Sequence, residues 1–135
     1  NPQAHGSAHS VVDLEGTLYR PGREDDKSWH AGQSALWGET DLNQCSIGIE
    51  IVDDDDHEPY PPAQLRSVVE LTTEIVVRRA IWLNRIVGHE HISLPPGRKV
   101  DPSKDFKWSP FLLAVAHHVN AQLRRDYQTM KGHAP

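Results

Sequence analysis

The sequence contains little of what would place it in several common protein classes. A single cysteine, Cys45, among 135 residues excludes a disulfide within the chain and leaves the redox compartment open. Fourteen Lys and Arg against nineteen Asp and Glu form no cluster that could follow a phosphate backbone. No apolar run approaches the roughly 20 residues of a membrane-spanning helix, and residues 1–10 have no secretory-signal pattern. We therefore expect neither a nucleic-acid partner nor a membrane span.

Histidine and tryptophan are the residue types that carry information here. The chain has nine His and four Trp, and both types favour binding clefts and metal sites. A hydrophobic fraction of 37% is enough for one modest core, and the length is that of a single domain. We therefore expect one domain over residues 1–135 that carries a polar, aromatic cleft.

Local patterns in the first half predict a hairpin, a strand and a helix. Residues 10–20 read as a β-hairpin, because Asp13 and Gly16 supply turn chemistry. Residues 29–43 have no clear period and predict a long structured loop, whereas the β-branched run 46–52 predicts a buried central strand. A helix opened by Pro61 and Pro62 follows, with an apolar face at helical spacing: Leu65, Val68, Val69, Thr72, Ile75 and Val76.

The second half predicts a short strand at residues 85–88, a loop at 90–107 and a last helix. Ser109 and Pro110 are a good N-cap and first helical residue, and the helix should run to about Tyr127. Its predicted buried residues are Leu112, Val115, Val119 and Leu123. The order of elements predicts an α/β (α+β) fold, with a central mixed sheet flanked by α-helices.

His89 and Asp101 are candidate metal ligands, since imidazole and carboxylate both bind zinc well. His89 directly follows the predicted strand 85–88, and Asp101 comes twelve residues later, beyond a proline-rich loop. That loop could hold the carboxylate opposite the imidazole at low entropic cost. Taken alone, this pair is a weak signal, and a capping His with a turn-forming Asp-Pro is the favoured explanation.

Glu50 and Lys99 are candidate catalytic residues. Ile47, Ile49 and Ile51 point to one side of the predicted strand, which leaves Glu50 on the opposite side. A carboxylate within a buried strand must be paired, hydrogen-bonded or functional, so a structural ion pair is the alternative. Lys99 lies in the same loop as Asp101 and could stabilise an oxyanion near the metal, although a solvated surface lysine is the alternative.

Four segments together resemble a known family. They are Ser7-Ala8-His9 with VVDLEGTLY, then Trp29-His30-Ala31-Gly32, then Asn43 followed by SIGIE, and finally VGHEHISLPPGRKVDP. In order and approximate spacing they are similar to the zinc-dependent N-acetylmuramoyl-L-alanine amidases. That family includes anhydro-muropeptide amidases, amidase-type phage lysozymes and, more distantly, peptidoglycan-recognition proteins.

The resemblance implies a zinc cofactor and a role for each matched residue. His89 and Asp101 correspond to zinc ligands, and Glu50 to the acid that orients or deprotonates the attacking water. Lys99 corresponds to the lysine that stabilises the tetrahedral oxyanion. Trp29, His30 and Arg98 correspond to contacts with peptidoglycan or a muropeptide, although a structural role for His30 remains open.

One part of the family pattern does not match. The family has a third zinc ligand, a His near the end of a first β-strand that precedes the Ser-Ala-His segment. Here that segment begins at Ser7, so the domain is expected to lack its N-terminal strand. The third ligand is expected upstream of residue 1. The alternatives are His5 or His9, or an incomplete site.

Two functions from different classes follow from the resemblance. The first is a zinc hydrolase that cleaves the amide bond between N-acetylmuramic acid and L-alanine. The second is a non-catalytic peptidoglycan-binding module with an incomplete zinc site. A metalloprotease is disfavoured because the chain has no His-Glu-x-x-His motif. The sequence fixes neither the compartment (bacterial cytoplasm, cell envelope or phage lysin) nor the oligomeric state, nor the choice between anhydro-muropeptide and intact wall.

Overall fold

The computed structural model describes residues 8–54 and 59–133. Within these ranges the strands are β1 (Ser10–Val12), β2 (Leu18–Tyr19), β3 (Ala35–Leu36), β4 (Glu39–Thr40) and β5 (Ile49–Ile51). The α-helices are α1 (Pro62–Arg79), α2 (His89–Ile92) and α3 (Trp108–Gly132), and short 3-10 helices lie at Leu42–Gln44 and Leu83–Arg85. The predicted α/β (α+β) class, a mixed sheet with helices packed against it, is confirmed.

The predicted hairpin is present and forms one side of the sheet. Strand β1 pairs antiparallel with β2 and parallel with β5, which gives the sheet order β2-β1-β5. At the turn, the Asp13 carboxylate accepts backbone N–H bonds from Glu15 (3.0 Å) and Thr17 (2.8 Å). Gly16 has a φ of 84°. The turn chemistry that predicted the hairpin is therefore what closes it.

Gly16 is required by space as well as by backbone conformation. A Cβ at Gly16 would lie 2.6 Å from the Ala63 carbonyl oxygen at the start of α1. Gly97 is a matched control, because its φ is 87° and a Cβ there would meet nothing within 4 Å. We expect Gly97→Ala to cost about 1–2 kcal/mol of unfolding free energy from left-handed strain alone. Gly16→Ala should cost clearly more in urea unfolding, and equal losses would refute the close contact with α1.

Strand β5 is shorter than predicted and is not central. It covers Ile49–Ile51 rather than residues 46–52, and it lies at the edge of the described three-stranded sheet. The predicted strand 85–88 does not form either: Arg85 ends a 3-10 helix, and Ile86 and Gly88 are extended. An extended segment becomes a strand only where a neighbouring strand completes its hydrogen bonds. Among the described residues, β5 has such a neighbour on one side only, β1, and residues 85–88 pair with no strand.

Gln64 ties the parallel strands to the first helix. Its side chain is completely buried, and its amide donates to the carbonyl oxygens of Val12 (3.2 Å) and Val52 (2.7 Å). These carbonyls lie at the ends of β1 and β5, so one side chain holds both strands against α1. Sequence periodicity alone gave no sign of this contact.

The core lies between the sheet and helices α1 and α3. The predicted apolar face of α1 is confirmed, and Val12, Val68 and Val115 are almost fully buried in the same cluster. Helix α3 starts one residue before Ser109 and runs past Tyr127 to Gly132. At about 1.5 Å per residue, its 25 residues outrun the 18 of α1 by roughly 10 Å. Leu123, predicted to be buried, is therefore 52% exposed, whereas Phe111 is buried.

The segment 29–43 contains more structure than the predicted loop. A small hairpin pairs Ala35 with Thr40 and Leu36 with Glu39, and the 3-10 helix at Leu42–Gln44 follows it. None of the helices in the described ranges is long and apolar enough to cross a membrane.

Candidate active site

The structure brings the two predicted metal ligands together. Nδ1 of His89 lies 3.2 Å from a carboxylate oxygen of Asp101. His89 is the first residue of the one-turn helix α2 rather than the end of a strand. The backbone N–H of Glu90 donates to the Asp101 carbonyl oxygen at 2.9 Å. This bond closes the intervening loop, so the backbone itself sets the carboxylate beside the imidazole.

The other ring nitrogen of His89 fixes its tautomer. Nε2 lies 3.0 Å from the carbonyl oxygen of Ala31, and a carbonyl can only accept, so Nε2 carries the proton. In a neutral His89, Nδ1 then presents a lone pair to the carboxylate oxygen of Asp101, which also presents lone pairs. Two acceptors at this distance need a cation between or beside them, either a proton on His89 or a metal ion.

The donor pair fits zinc in both chemistry and spacing. Zinc–nitrogen and zinc–oxygen bonds are about 2.0–2.2 Å, so two ligands of a tetrahedral site lie roughly 3.3–3.5 Å apart. The observed separation is 3.2 Å. The backbone carbonyl that holds the distal N–H of His89 is also the usual arrangement for a zinc-binding histidine.

Within residues 8–54 and 59–133, no group of three His, Cys, Asp or Glu could hold a metal ion. His9, one alternative for the third ligand, is 1% exposed and both its ring nitrogens are used. Nδ1 accepts the backbone N–H of Gly48 at 2.9 Å, and Nε2 donates to the Asp26 carbonyl oxygen at 2.8 Å. His9 is therefore a structural residue. His5, the other alternative, lies outside the described residues.

His30 is held between the sheet and the loop. Its Nε2 lies 2.7 Å from the Ser46 hydroxyl, which itself donates to the Leu42 carbonyl oxygen, so His30 donates. Burial, reinforced by repulsion from His9 and His89, lowers the pKa of His30 to about 4. The ring is therefore neutral at physiological pH, and its N–H bond to Ser46 fixes the loop beside the candidate site.

Gly48 leaves the space that the His30 ring fills. A Cβ at Gly48 would lie 2.5 Å from Cγ of His30, so the ring would have to move. We expect Gly48→Ala to displace His30 and break its bond to Ser46, with a loss of more than about 1 kcal/mol of unfolding free energy. Gly22→Ala is the control, since its nearest contact would be 3.8 Å. Histidine NMR shifts that stay unchanged in Gly48→Ala would contradict this packing.

Glu50 and Lys99 line the same cavity as the ligand pair. This cavity has a volume of about 1060 Å³, and its walls also include His30, His89 and Asp101. Glu50 is exposed and its carboxylate has no ion pair with any described residue. The expectation that it sits in a buried strand is wrong, because β5 is an edge strand of the described sheet. Its side-chain direction is as predicted, since Ile47, Ile49 and Ile51 pack against the core.

Two predicted substrate contacts lie outside this cavity. Trp29 lines a separate depression of about 500 Å³ together with Leu94, and the Lys27 ammonium lies 4.1 Å from its ring centroid. The Arg98 guanidinium donates to the carbonyl oxygens of Leu94 (2.7 Å), Gln33 (3.0 Å) and Ala31 (3.3 Å). Arg98 thus fastens two loops to each other, and the substrate roles of both residues stay predictions.

The backbone of Ala31 bonds to three side chains from other segments, which the sequence did not reveal. Its N–H donates to the Asn43 side-chain oxygen at 2.8 Å, and its carbonyl accepts from both His89 and Arg98. Asn43 and Arg98 therefore orient the carbonyl that sets the tautomer of His89. Their only sequence signal is the matching of Asn43 and the Trp-His-Ala-Gly segment to the family pattern.

Comparison with known proteins decides the family. The model of the N-acetylmuramoyl-L-alanine amidase family (Amidase_2) matches residues 1–104. The chain belongs to this family. The anhydro-N-acetylmuramyl-L-alanine amidase AmpD of Haemophilus influenzae is 37% identical, over 84% of this chain and 60% of that protein. AmpD of Citrobacter freundii is 33% identical, over 81% of this chain and 57% of that protein.

Solved amidase structures share the fold. A selenomethionine derivative of AmpD superposes with a TM-score of 0.74 at 33% identity, covering 82% of this chain and 60% of that one. The amidase AmiD from E. coli, in complex with anhydro-N-acetylmuramic acid-L-Ala-D-γ-Glu-L-Lys, gives 0.70 at 30% identity, with 80% and 47% covered. The chain thus spans about 60% of the length of the AmpD relatives.

Proposed function

We propose that the chain is the body of a zinc-dependent hydrolase that cleaves the amide bond between N-acetylmuramic acid and L-alanine. The convergence of His89 and Asp101 carries this proposal: they lie 3.2 Å apart in a cavity that Glu50 and Lys99 also line. The substrate is a peptidoglycan or muropeptide stem, with anhydro-N-acetylmuramic acid-L-Ala-D-γ-Glu-L-Lys, the ligand of the AmiD complex, as the test compound.

Zinc in this site would supply a water acidic enough to attack at neutral pH and a Lewis acid for the scissile carbonyl. His89 and Asp101 would hold it, while the Ala31 carbonyl accepts the Nε2–H of His89 and so turns Nδ1 toward Asp101. Glu50 accepts the proton of the attacking water and returns it to the amine of L-alanine as that amine leaves. Lys99, which lines the same cavity, supplies the positive charge that stabilises the oxyanion. The exposure of Glu50 suits this role, because its carboxylate has no ion pair with a described residue and can reach a water in the cavity.

The third ligand would come from outside the described residues. His9 is engaged through both nitrogens, so recruiting it would break two buried hydrogen bonds. A histidine in a segment preceding residue 1 is our first choice, and His5 is the second. Zinc titration of a His5→Ala variant separates them, since unchanged affinity eliminates His5.

A non-catalytic peptidoglycan-binding module is the second candidate function. It is favoured by one observation: only two donors meet among the described residues. A pure binder, however, has no need of Glu50 and Lys99 in the same cavity as the donor pair.

Zinc content and product release distinguish the two functions. The chain together with the segment that supplies the third ligand is expected to retain close to one zinc per molecule after dialysis and to release the free stem peptide from the test compound. Mass spectrometry of the products assigns the cleaved bond. Binding of the muropeptide without release of peptide, with or without added zinc, would replace the amidase by the binding module.

A further inference from the structure

Trp37 occupies an unfavourable position at the tip of the β3–β4 hairpin. Trp37 and Gly38 form the two-residue turn, and their φ values are 47° and 85°. A turn of this kind favours Asn-Gly, and a bulky residue in the left-handed region is uncommon and costs free energy. Trp37 is also 60% exposed, so burial does not compensate for the strain. An exposed aromatic residue that keeps a strained backbone at the tip of a hairpin points to a binding role.

Arg85 lies over the exposed Trp37 ring. Its guanidinium carbon is 5.2 Å from the ring centroid, and Arg85 ends the 3-10 helix Leu83–Arg85. Among the described residues its guanidinium has no carboxylate partner within salt-bridge distance, whereas Arg78 and Arg79 are both ion-paired. A guanidinium held against an aromatic face keeps its in-plane N–H groups free for a bidentate carboxylate.

The Arg85–Trp37 pair lies beside the candidate active site. Arg85 lines the same cavity as His89 and Asp101, and only three residues lie between it and His89, so their Cα atoms are at most about 14 Å apart. Leu36 directly precedes Trp37 in the chain, and Val87 lies two residues after Arg85. Both pack in one apolar cluster with Ala31 and Ile92. The cluster therefore connects the β3–β4 hairpin and the Arg85 segment to Ala31, whose carbonyl oxygen orients His89.

We propose that Arg85, placed over the Trp37 ring, binds a carboxylate of the stem peptide and so selects substrates with an acidic residue after L-alanine. This inference rests on the proposed function. In the test compound the glutamate is linked through its γ-carboxyl group, which leaves its α-carboxylate free one residue beyond the scissile bond. Arg85 is a specificity residue here, since it touches the stem and no reacting atom.

The test compares two ligands with one chemical difference: the test compound and its analogue with that α-carboxylate converted to a carboxamide. Binding is measured by calorimetry on the metal-free chain, so that the result does not depend on turnover. The wild-type chain is expected to bind the acid about tenfold or more tightly than the amide. In Arg85→Ala the two ligands should bind alike, and Arg85→Lys should keep only part of the preference.

Further variants test whether the preference for the acid depends on the Arg85–Trp37 pair rather than on the overall positive charge or on misfolding. Trp37→Phe should retain the preference and Trp37→Ala should reduce it, with circular dichroism unchanged in both. Arg66→Ala removes one exposed positive charge on α1, away from the cavity, and should leave the preference intact. Equal binding of both ligands by the wild type, or a preference that survives in Arg85→Ala, overturns this inference alone. Failure to bind either ligand overturns the proposed function with it.

Discussion

Glu50→Ala is expected to lower the rate of stem-peptide release by about 100- to 10,000-fold, the usual contribution of a general acid–base group. The zinc content should not change, because Glu50 is not one of the two converging donors. Folding should be little affected as well, since the side chain is exposed at the edge of the described sheet and has no ion pair among the described residues. The measurement is single-turnover product release alongside metal analysis.

Glu39→Ala is the matched control for this experiment. Glu39 is also an exposed acid that lines the same cavity, and no chemical role is proposed for it. Its removal should change the rate by less than a few-fold. Unchanged turnover in Glu50→Ala would remove Glu50 from the mechanism, and a comparable loss in Glu39→Ala would show that only the charge of the cavity matters.

Local sequence predicted the elements that are stabilised locally. The hairpin at residues 10–20 formed because Asp13 and Gly16 determine a turn whatever the rest of the chain does. Helix α1 formed because its apolar stripe, from Leu65 to Val76, matches the helical period over about three turns. The strand predicted at 46–52 is shorter than expected, and the strand predicted at 85–88 does not form. A strand needs a hydrogen-bonded neighbour, and a β-branched run does not show whether one is present.

Site residues were found by the resemblance more than by local pattern. Burial was the physical argument for Glu50, and it is wrong, although Glu50 does lie in the cavity with His89 and Asp101. The family pattern also directed attention to Arg98 as a substrate contact, whereas the structure shows its guanidinium bound to three carbonyl oxygens. Contacts of side chains with distant backbone, such as those of Ala31 and Gln64, leave no periodic trace in a sequence.

Asp101→Ala is expected to weaken zinc binding by well over the 10- to 100-fold that loss of an outer hydrogen-bond partner causes. The carboxylate is one of only two donors that meet among the described residues. The substitution removes this carboxylate and leaves the backbone bond from Glu90 to residue 101 in place. The affinity is measured by competition with a chromogenic chelator at fixed pH.

Asp105→Ala controls for the loss of one acid from the same loop. Asp105 is absent from the cavity wall and has no ion pair among the described residues, so its removal should leave the zinc affinity unchanged. Asp101→Asn refines the result: it retains the size and one oxygen donor but loses the charge, so its affinity should lie between those of the wild type and Asp101→Ala. Full metal occupancy in Asp101→Ala would mean that the 3.2 Å contact with His89 is an ordinary ion pair of a protonated histidine.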